Sequence, residues 1–138
     1  MMAAIRSRDT RPELIVRRYL HHLGFRFRLA PPHLPGKPDL ILSRYRVAVF
    51  VHGCFWHAHA GCRFATVPAT RTDFWIEKLT ANRARDGMKE AQLRNAGWRV
   101  AVVWECALKS DCDATLKQLV SFIRSKRETA EIPSQALK

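Results

Sequence analysis

The eleven residues from His52 to Cys62 place the strongest constraint on how this chain can fold. They include two cysteines, three histidines and two large aromatic residues. Thiolates and imidazoles are the ligands that zinc prefers, and imidazole is the side chain best suited to moving a proton near neutral pH. We therefore predict a loop that holds a structural metal, supplies catalytic histidines and presents aromatic side chains to a flat partner.

The charge balance indicates a polyanionic partner. The 138 residues carry 24 Lys and Arg against 12 Asp and Glu, a formal net charge of +12. Such an excess favours nucleic acid, although a merely basic domain or one that binds anionic membrane has the same balance. The apolar runs, such as Val47 to Val51, are too short to span a bilayer, and no signal peptide is recognisable. Four cysteines without a secretion signal fit metal binding better than disulfides, so we expect a cytoplasmic protein.

Hydrophobic periodicity predicts an α/β fold with a mixed sheet, in a single domain over residues 1–138. Helices are expected to begin near Thr10, Thr70 and Asp113, and the first two to end at Gly24 and Gly97. The predicted strands are residues 25–29, 39–42, 47–51 and 99–104. The third is apolar on both faces and is expected to be central. A polar, frayed tail is expected over about residues 125–138.

Four residues are candidate ligands of a metal site: Cys54, His59, Cys62 and Cys106. Three come from the loop and the fourth follows the last predicted strand, so a closed structural site would staple a loop that lacks its own core. Alternatively, the cysteines are buried apolar residues and the histidines lie on the surface. His57 is also a possible ligand in place of His59, since spacing does not separate them. Cys112 is left over, and we interpret it as a free surface thiol.

A second group of residues could bind Mg²⁺ and hydrolyse a phosphodiester. Pro38-Asp39 begins a predicted strand and His52 ends the next one, so the carboxylate and the imidazole are expected at one edge of the sheet. Many nucleases build a metal site from two such strands, with Glu-x-Lys on the second, where Phe50-Val51-His52 stands here. An Asp before a strand is otherwise more often a turn residue. His52 and His57 would then deprotonate water or neutralise the transition state.

Aromatic and basic side chains near the loop could contact nucleic acid. Phe55, Trp56 and Trp75 are candidate wedges between base steps, with ordinary core packing as the alternative. Core packing is favoured for Trp98 and Trp104, which lie at the fourth predicted strand. Basic residues that flank or follow the loop would meet phosphates or form a solvated helix face. They are Arg63, Arg71, Lys78, Arg83, Arg85, Lys89 and Arg94.

Several separate motifs, within about Ile5 to Leu119, resemble the very short patch repair DNA mismatch endonucleases of bacteria. They are LPGKPD at 34–39, VHGCFWH at 51–57, VPATRTDFW at 67–75, GWRV at 97–100 and VWEC at 103–106. The resemblance implies a restriction-endonuclease-like fold of the PD-(D/E)xK type, with a mixed sheet between helices. It also implies a Mg²⁺-dependent enzyme that nicks one DNA strand 5′ to the thymine of a T:G mismatch. Such mismatches arise when 5-methylcytosine deaminates, and the family's context is 5′-CTWGG.

The resemblance also implies roles for individual residues. Asp39 matches the Mg²⁺-binding carboxylate, His57 the general base and His52 a second active-site histidine that contacts phosphate or metal-bound water. Asp86 and Glu13 match acidic residues that hold or orient this site. Val51 stands where the family has a threonine that contacts the metal; a backbone carbonyl would serve equally well, whereas a required hydroxyl would be missing.

Two further sets of residues match the family. The implied zinc ligands are Cys54, His59, Cys62 and Cys106, and the implied intercalating side chains are Phe55, Trp56 and Trp75. Ala60-Gly61 places Cys62 one residue further along the loop than in the best-known member, which a flexible glycine tolerates.

The implied partner is double-stranded DNA with a T:G mismatch, with a functional link to a cytosine-5 methyltransferase. Mismatch-repair factors and DNA polymerase I would act downstream, and a single-strand nick needs only a monomer. The family has an N-terminal arm that reaches the minor groove, and this sequence begins at the end of that arm, with Met1 and Met2. Two alternatives are a restriction endonuclease of the same fold and a zinc-stabilised DNA-binding module without nuclease activity.

Overall fold

Helices alternate with strands along the chain, and a computed structural model describes residues 10–29 and 31–134 of it. The elements are α1 (Arg11–His22), β1 (Arg28–Leu29), β2 (Leu40–Leu42), β3 (Val47–His52), α2 (Thr72–Asn95), β4 (Arg99–Trp104), α3 (Glu105–Ser110), α4 (Cys112–Arg124) and β5 (Thr129–Ile132). A 3-10 turn at Ser43–Tyr45 joins β2 to β3. Residues 1–9, where the sequence begins at the end of the family's N-terminal arm, lie outside the described residues.

The five strands form one mixed sheet in the order β1-β2-β3-β4-β5. The β1–β2 and β2–β3 pairs are antiparallel, whereas β3–β4 and β4–β5 are parallel. All six residues of β3 are buried, which confirms the prediction of a central strand that is apolar on both faces. The register pairs Val47 with Arg99 and His52 with Trp104, so β3 and β4 end at the same edge of the sheet. The Cys/His loop leaves the sheet from that edge.

Each face of the sheet has its own core, so the predicted mixed sheet flanked by helices is confirmed. Val49 and Val51 point to a core that includes Val16 and Leu20 of α1 and Leu119 of α4. The side chains between them in β3 point the other way, as the period of two in a strand requires. Ala48 and Phe50 therefore join a second core with Leu93 of α2 and the thiols of Cys54, Cys62 and Cys106.

The first two helices begin and end close to the predicted positions. The Thr10 hydroxyl accepts a hydrogen bond from the Glu13 N–H at 3.5 Å, and Gly24 follows α1 with a φ of +86°. Helix α2 runs from Thr72 to Asn95, and Gly97 follows with a φ of +90°. Only Leu79 and Leu93 are buried within the 24 residues of α2, so most of this helix projects into solvent.

Helix α4 and the residues after it differ from the predictions. Asp111 caps α4 by accepting the Ala114 N–H at 3.1 Å, so the prediction that Asp113 caps it is wrong. The prediction of a frayed tail from residue 125 is also wrong for Thr129–Ile132, which forms β5; residues 135–138 lie outside the described part. Strand formation there depends on pairing with β4, because three of its four residues are not buried and its own pattern is weak.

Smaller differences concern a thiol, a strand and a short helix. Cys112 is half-buried and packs against the first core, so it is not the surface thiol that its polar neighbours suggest. The predicted strand over 25–29 is reduced to Arg28–Leu29, the two residues that pair with β2. The Phe25 N–H instead donates to the Leu20 carbonyl at 3.0 Å, and its ring packs in the first core. Helix α3 has no counterpart among the predicted elements. Of the helices in the described residues, none combines the length and apolar character needed to cross a membrane.

Candidate active site

The four candidate metal ligands lie together at the end of the sheet. Cys54, His59, Cys62 and Cys106 are all buried, and one ligand atom from each lies within 4.8 Å of the others. The Cys106 N–H donates to the Cys54 sulfur at 3.3 Å, and the Cys106 sulfur lies 3.5 Å from His59 Nδ1. Burial raises the pKa of the Cys54 thiol, so a bound cation is needed for a thiolate at neutral pH. Three thiols and an imidazole fit a closed tetrahedral metal site.

A turn at Ala58 sends the two neighbouring histidines in different directions. Ala58 has a φ of +49°, in the left-handed region that residues with a Cβ rarely adopt. His59 is buried among the three cysteines, whereas His57 remains outside that group and contacts Asp86 of α2. The structure thus brings His59, and not His57, to the cysteines.

Two side chains of helix α2 donate hydrogen bonds to backbone carbonyls of the Cys/His loop and hold it in place. The Asn82 side-chain amide donates to the Trp56 carbonyl at 3.0 Å, and the Arg83 guanidinium donates to the Ala58 carbonyl at 3.1 Å. The positioning part of Asn82 was not predicted. The sequence feature that could have identified Asn82 is an amide, followed by a carboxylate, on the stripe of α2 whose other residues face inward. That stripe is Trp75, Leu79, Asn82, Asp86 and Leu93.

His57 is oriented by a carboxylate. Its Nδ1 atom lies 2.6 Å from Asp86 Oδ2, and the two side chains are 30% and 13% exposed. Burial alone would raise the Asp86 pKa, but the hydrogen bond and charge of His57, together with the charges of other basic neighbours, lower it. With Nδ1 engaged as a donor, the Nε2 atom of His57 carries the lone pair and can accept a proton.

His52 ends β3 directly beneath His57. The two imidazole rings are stacked, with centroids 3.8 Å apart and planes at 15°. Burial lowers the His52 pKa to about 3, so the ring is neutral at physiological pH. Its buried Nε2 atom has no hydrogen-bond partner among the described residues. An unpaired buried nitrogen is costly, and a ligand that enters the site would satisfy it.

Asp39 directly precedes β2 and lies beside β3. Its Oδ2 atom accepts the Val51 N–H at 2.6 Å, and its own N–H donates to the Val49 carbonyl at 3.0 Å. Burial, together with the charge of the Glu13 carboxylate, raises the Asp39 pKa to about 7 despite the Val51 hydrogen bond. Glu13 is only 4% exposed. Two neighbouring carboxylates in a buried setting favour a shared proton or a bound cation, and their oxygens suit Mg²⁺.

The three candidate wedges form a partly exposed aromatic cluster. The ring of Phe55 lies 5.0 Å from Trp56 and 5.4 Å from Trp75, and the two indoles are 5.9 Å apart. Phe74, 44% exposed, adjoins Trp75 at 5.3 Å. These rings pack on one another and not in either core, so the core-packing alternative does not describe them. Trp98 and Trp104 are both buried in the second core, as predicted.

A cavity of about 370 Å³ opens between the loop, α2 and the end of β5. Its polar lining includes His52, His57, Arg83, Asp86, Glu90 and Glu131. Burial and then the charges of Asp86 and Glu131 raise the pKa of Glu90. Glu131 was missed as a lining residue because β5 was not predicted.

Known proteins resemble this chain over nearly its whole length. Residues 1–63 match the family model described as DNA mismatch endonuclease Vsr. The type II nicking enzyme V.XorIIP of Xanthomonas oryzae pv. oryzae is 55% identical over 123 residues, which cover 89% of each chain. The type II nicking enzyme V.NmeAIP of Neisseria meningitidis is 44% identical over 126 residues, 90% of this chain and 89% of the relative. The DNA mismatch endonuclease Vsr of Escherichia coli K12 is 41% identical over 140 residues, 99% of this chain and 89% of the relative.

Proposed function

The chain belongs to the DNA mismatch endonuclease Vsr family, and we propose that it nicks one strand 5′ to the thymine of a T:G mismatch. It is a DNA endonuclease of restriction-endonuclease-like fold. Deamination of 5-methylcytosine at sites of a cytosine-5 methyltransferase would supply the mismatch. Mismatch-repair factors and DNA polymerase I would act on the nick. The observation that carries the proposal is the His57–Asp86 pair at the sheet edge where the family motifs converge. Asp39 lies near enough for the charge of His57 to lower its pKa.

Asp39 is the proposed protein ligand of a catalytic Mg²⁺. Its carboxylate is held by the Val51 N–H and faces Glu13, so a cation at this point would relieve two close negative charges. The Val51 backbone carbonyl is the proposed second ligand, which makes the missing threonine hydroxyl unimportant. When bound, Mg²⁺ would neutralise charge on the phosphate and lower the pKa of a bound water.

His57 is the proposed general base. Asp86 holds the Nδ1–H, so the Nε2 atom is free to take a proton from the attacking water. The side chain is 30% exposed, which leaves it within reach of a substrate. Asp86 acts as the residue that orients His57, as carboxylates do beside other catalytic imidazoles.

His52 is the proposed phosphate contact. Because its ring is neutral, its Nε2 atom can donate one hydrogen bond to a phosphate oxygen in the Nε2–H tautomer. This contact would satisfy the nitrogen that lacks a partner among the described residues.

Zn²⁺ is the proposed occupant of the Cys/His cluster, where it would have a structural role. The donor set leaves no position for water, and the loop it would hold carries both His57 and the aromatic cluster. Phe55, Trp56 and Trp75 are the proposed intercalating side chains, because unstacking a mismatched step costs less than unstacking a paired one. The basic side chains of α2 would contact phosphates.

A nicking assay tests the proposal. The substrate is an end-labelled duplex with one T:G pair in a 5′-CTAGG context, compared with the matched duplex, with and without Mg²⁺. We expect one metal-dependent nick, 5′ to the mismatched thymine and in that strand only. The inactive control is Asp39→Asn, and Cys112→Ala, a cysteine outside the metal cluster, is the neutral control.

Two other outcomes would replace the proposal. Cleavage of the matched duplex at the same rate would indicate a restriction endonuclease of the same fold. Tight binding without cleavage of either duplex would indicate a DNA-binding module and would point first to the valine at position 51.

A further inference from the structure

Trp104 lies between the Cys/His cluster and the proposed catalytic histidines His52 and His57. Its ring is stacked on the His59 imidazole, with centroids 4.0 Å apart and planes at 6°. It also meets the edge of His52 at 5.2 Å and lies 6.4 Å from His57. Trp104 therefore packs in the second core and also contacts the rings of His59 and His52.

Glu131 fixes the rotation of that ring. The Trp104 Nε1–H donates to Glu131 Oε1 at 2.8 Å. The parallel register pairs Glu131 with Val102, so its side chain projects on the same face of the sheet as those of Val102 and Trp104. Glu131 is exposed whereas Trp104 is only 8% exposed, so the carboxylate holds the indole from the rim of the cavity.

We propose that Trp104, held by Glu131, is a positioning residue that fixes the imidazole plane of the metal ligand His59. His59 directs Nδ1 toward the Cys106 sulfur. The parallel Trp104 ring at 4.0 Å would clash with a rotated His59 imidazole. The Nδ1 atom of His59 therefore stays directed toward the metal site. Groups outside the ligand set commonly orient metal-bound histidines in this way.

The arrangement connects β5 to the catalytic loop. Glu131 lies in β5, Trp104 ends β4, and His59 is two residues beyond His57 in the loop. A loosened His59 would therefore also loosen His57. The inference rests on the proposed metal site and not on the mismatch specificity.

The test compares zinc release from the full-length, zinc-loaded protein and four variants, with a chelating dye as the acceptor. Removal of residues that orient a metal ligand commonly costs about 10- to 100-fold in metal affinity. We expect Glu131→Ala and Trp104→Phe to release zinc roughly tenfold faster, since each removes the indole anchor. Glu131→Gln should behave as wild type, because its amide oxygen still accepts the indole N–H.

Trp98→Phe is the matched control. Trp98 is as buried as Trp104, at 8% exposure, and belongs to the same core, but it lies before β4 and away from the loop. Its zinc release should remain that of the wild type. The visible absorption of the Co²⁺-substituted protein should shift in Glu131→Ala and not in Glu131→Gln, a change that lost packing alone would not produce.

Equal release rates for Trp98→Phe, Trp104→Phe and Glu131→Ala would overturn the inference. If Trp104→Phe fails to fold, Glu131→Ala decides, because it alters only an exposed side chain. A wild-type protein that binds no zinc would overturn both this inference and the proposed zinc site. The proposed nicking at T:G mismatches is tested separately, by the nicking assay.

Discussion

The Nδ1 atom of His57 lies 2.6 Å from Asp86 Oδ2, although the two residues are 29 positions apart. Asp86→Asn would place an amide there, which can hold the imidazole in the wrong tautomer and cannot stabilise its protonated form. We expect nicking to fall by about two to four orders of magnitude, the range that general base catalysis contributes. Single-turnover nicking of the T:G duplex, with saturating protein, measures the effect.

Glu77→Gln is the control for Asp86→Asn. Glu77 is an exposed carboxylate on the same helix, so its loss changes net charge equally without reaching the site. It should nick at the wild-type rate. Unchanged activity in Asp86→Asn would show that His57 does not need this carboxylate.

Asp39→Asn should abolish nicking and stabilise the fold. At about pH 8 the wild type carries a carboxylate with a pKa near 7 in a buried position beside Glu13. Asparagine removes that charge, and its oxygen can still accept the Val51 N–H. Without Mg²⁺ we expect a melting temperature higher by roughly 2–8 °C, the shift that about 1 kcal/mol produces.

Mg²⁺ provides the control for Asp39→Asn. Added Mg²⁺ should raise the melting temperature of the wild type but not that of the variant, because only the wild type offers the charged ligand. Nicking that survives the substitution would remove Asp39 from the metal site.

The central part of the fold could be predicted from the sequence because the local signals and the packing agree. Val47–Val51 is apolar at every position, so it must be buried on both faces, and the chain then leaves the sheet at His52. The same reasoning brings Asp39 to this edge. The separation of His57 from His59 could not be predicted, because it depends on a left-handed backbone conformation at Ala58. Alanine rarely adopts that conformation, so the sequence gives no sign of it.

The end of the chain shows the opposite case. Two of the four residues of Thr129–Ile132 are polar and only Ile132 is buried, so the segment forms a strand through its parallel pairing with β4. Without this strand the position of Glu131 could not be predicted, and neither could its hydrogen bond with the indole of Trp104. The register of His52 opposite Trp104 is the relationship that gives Trp104 its contacts with the histidines, and register is a tertiary property.

Cys106→Ala should lose the metal and destabilise the fold. Cys106 is the ligand that comes from α3, so its loss would release the loop from the body of the domain. Losses of a structural metal belong to the largest single-residue effects, about 4 kcal/mol or more. Zinc content by atomic absorption and unfolding by urea measure the two consequences.

Cys112→Ala is the matched variant for that prediction. Cys112 is a half-buried thiol outside the cluster, so the variant should keep its full zinc content. Equal zinc content in Cys106→Ala and the wild type would exclude Cys106 as a ligand.

Trp56→Ala should weaken mismatch recognition more than binding to plain duplex. Trp56 packs on Phe55 and Trp75 in the exposed cluster, and Asn82 holds its backbone, so removing the indole takes away a wedge without opening a core. Stacking on a base contributes about 1–3 kcal/mol, so affinity for the T:G duplex should fall by roughly 5- to 100-fold. Fluorescence anisotropy with both duplexes gives the ratio, and an equal loss on both would indicate that Trp56 serves packing.

Glu90→Gln should stabilise the protein increasingly as the pH rises. Burial, together with the charges of Asp86 and Glu131, raises the folded-state pKa of Glu90 above its ordinary value of 4.5. The protonated acid therefore favours the fold at low pH, and this contribution is lost as the pH rises through the folded-state pKa. Glutamine keeps the neutral form throughout, so its advantage in melting temperature should be larger at about pH 8 than at about pH 5.5 and should vanish towards the ordinary pKa. Glu77→Gln, on the exposed side of α2, should show no such trend, and a variant less stable than the wild type at the higher pH would mean that ionised Glu90 is held by a favourable contact.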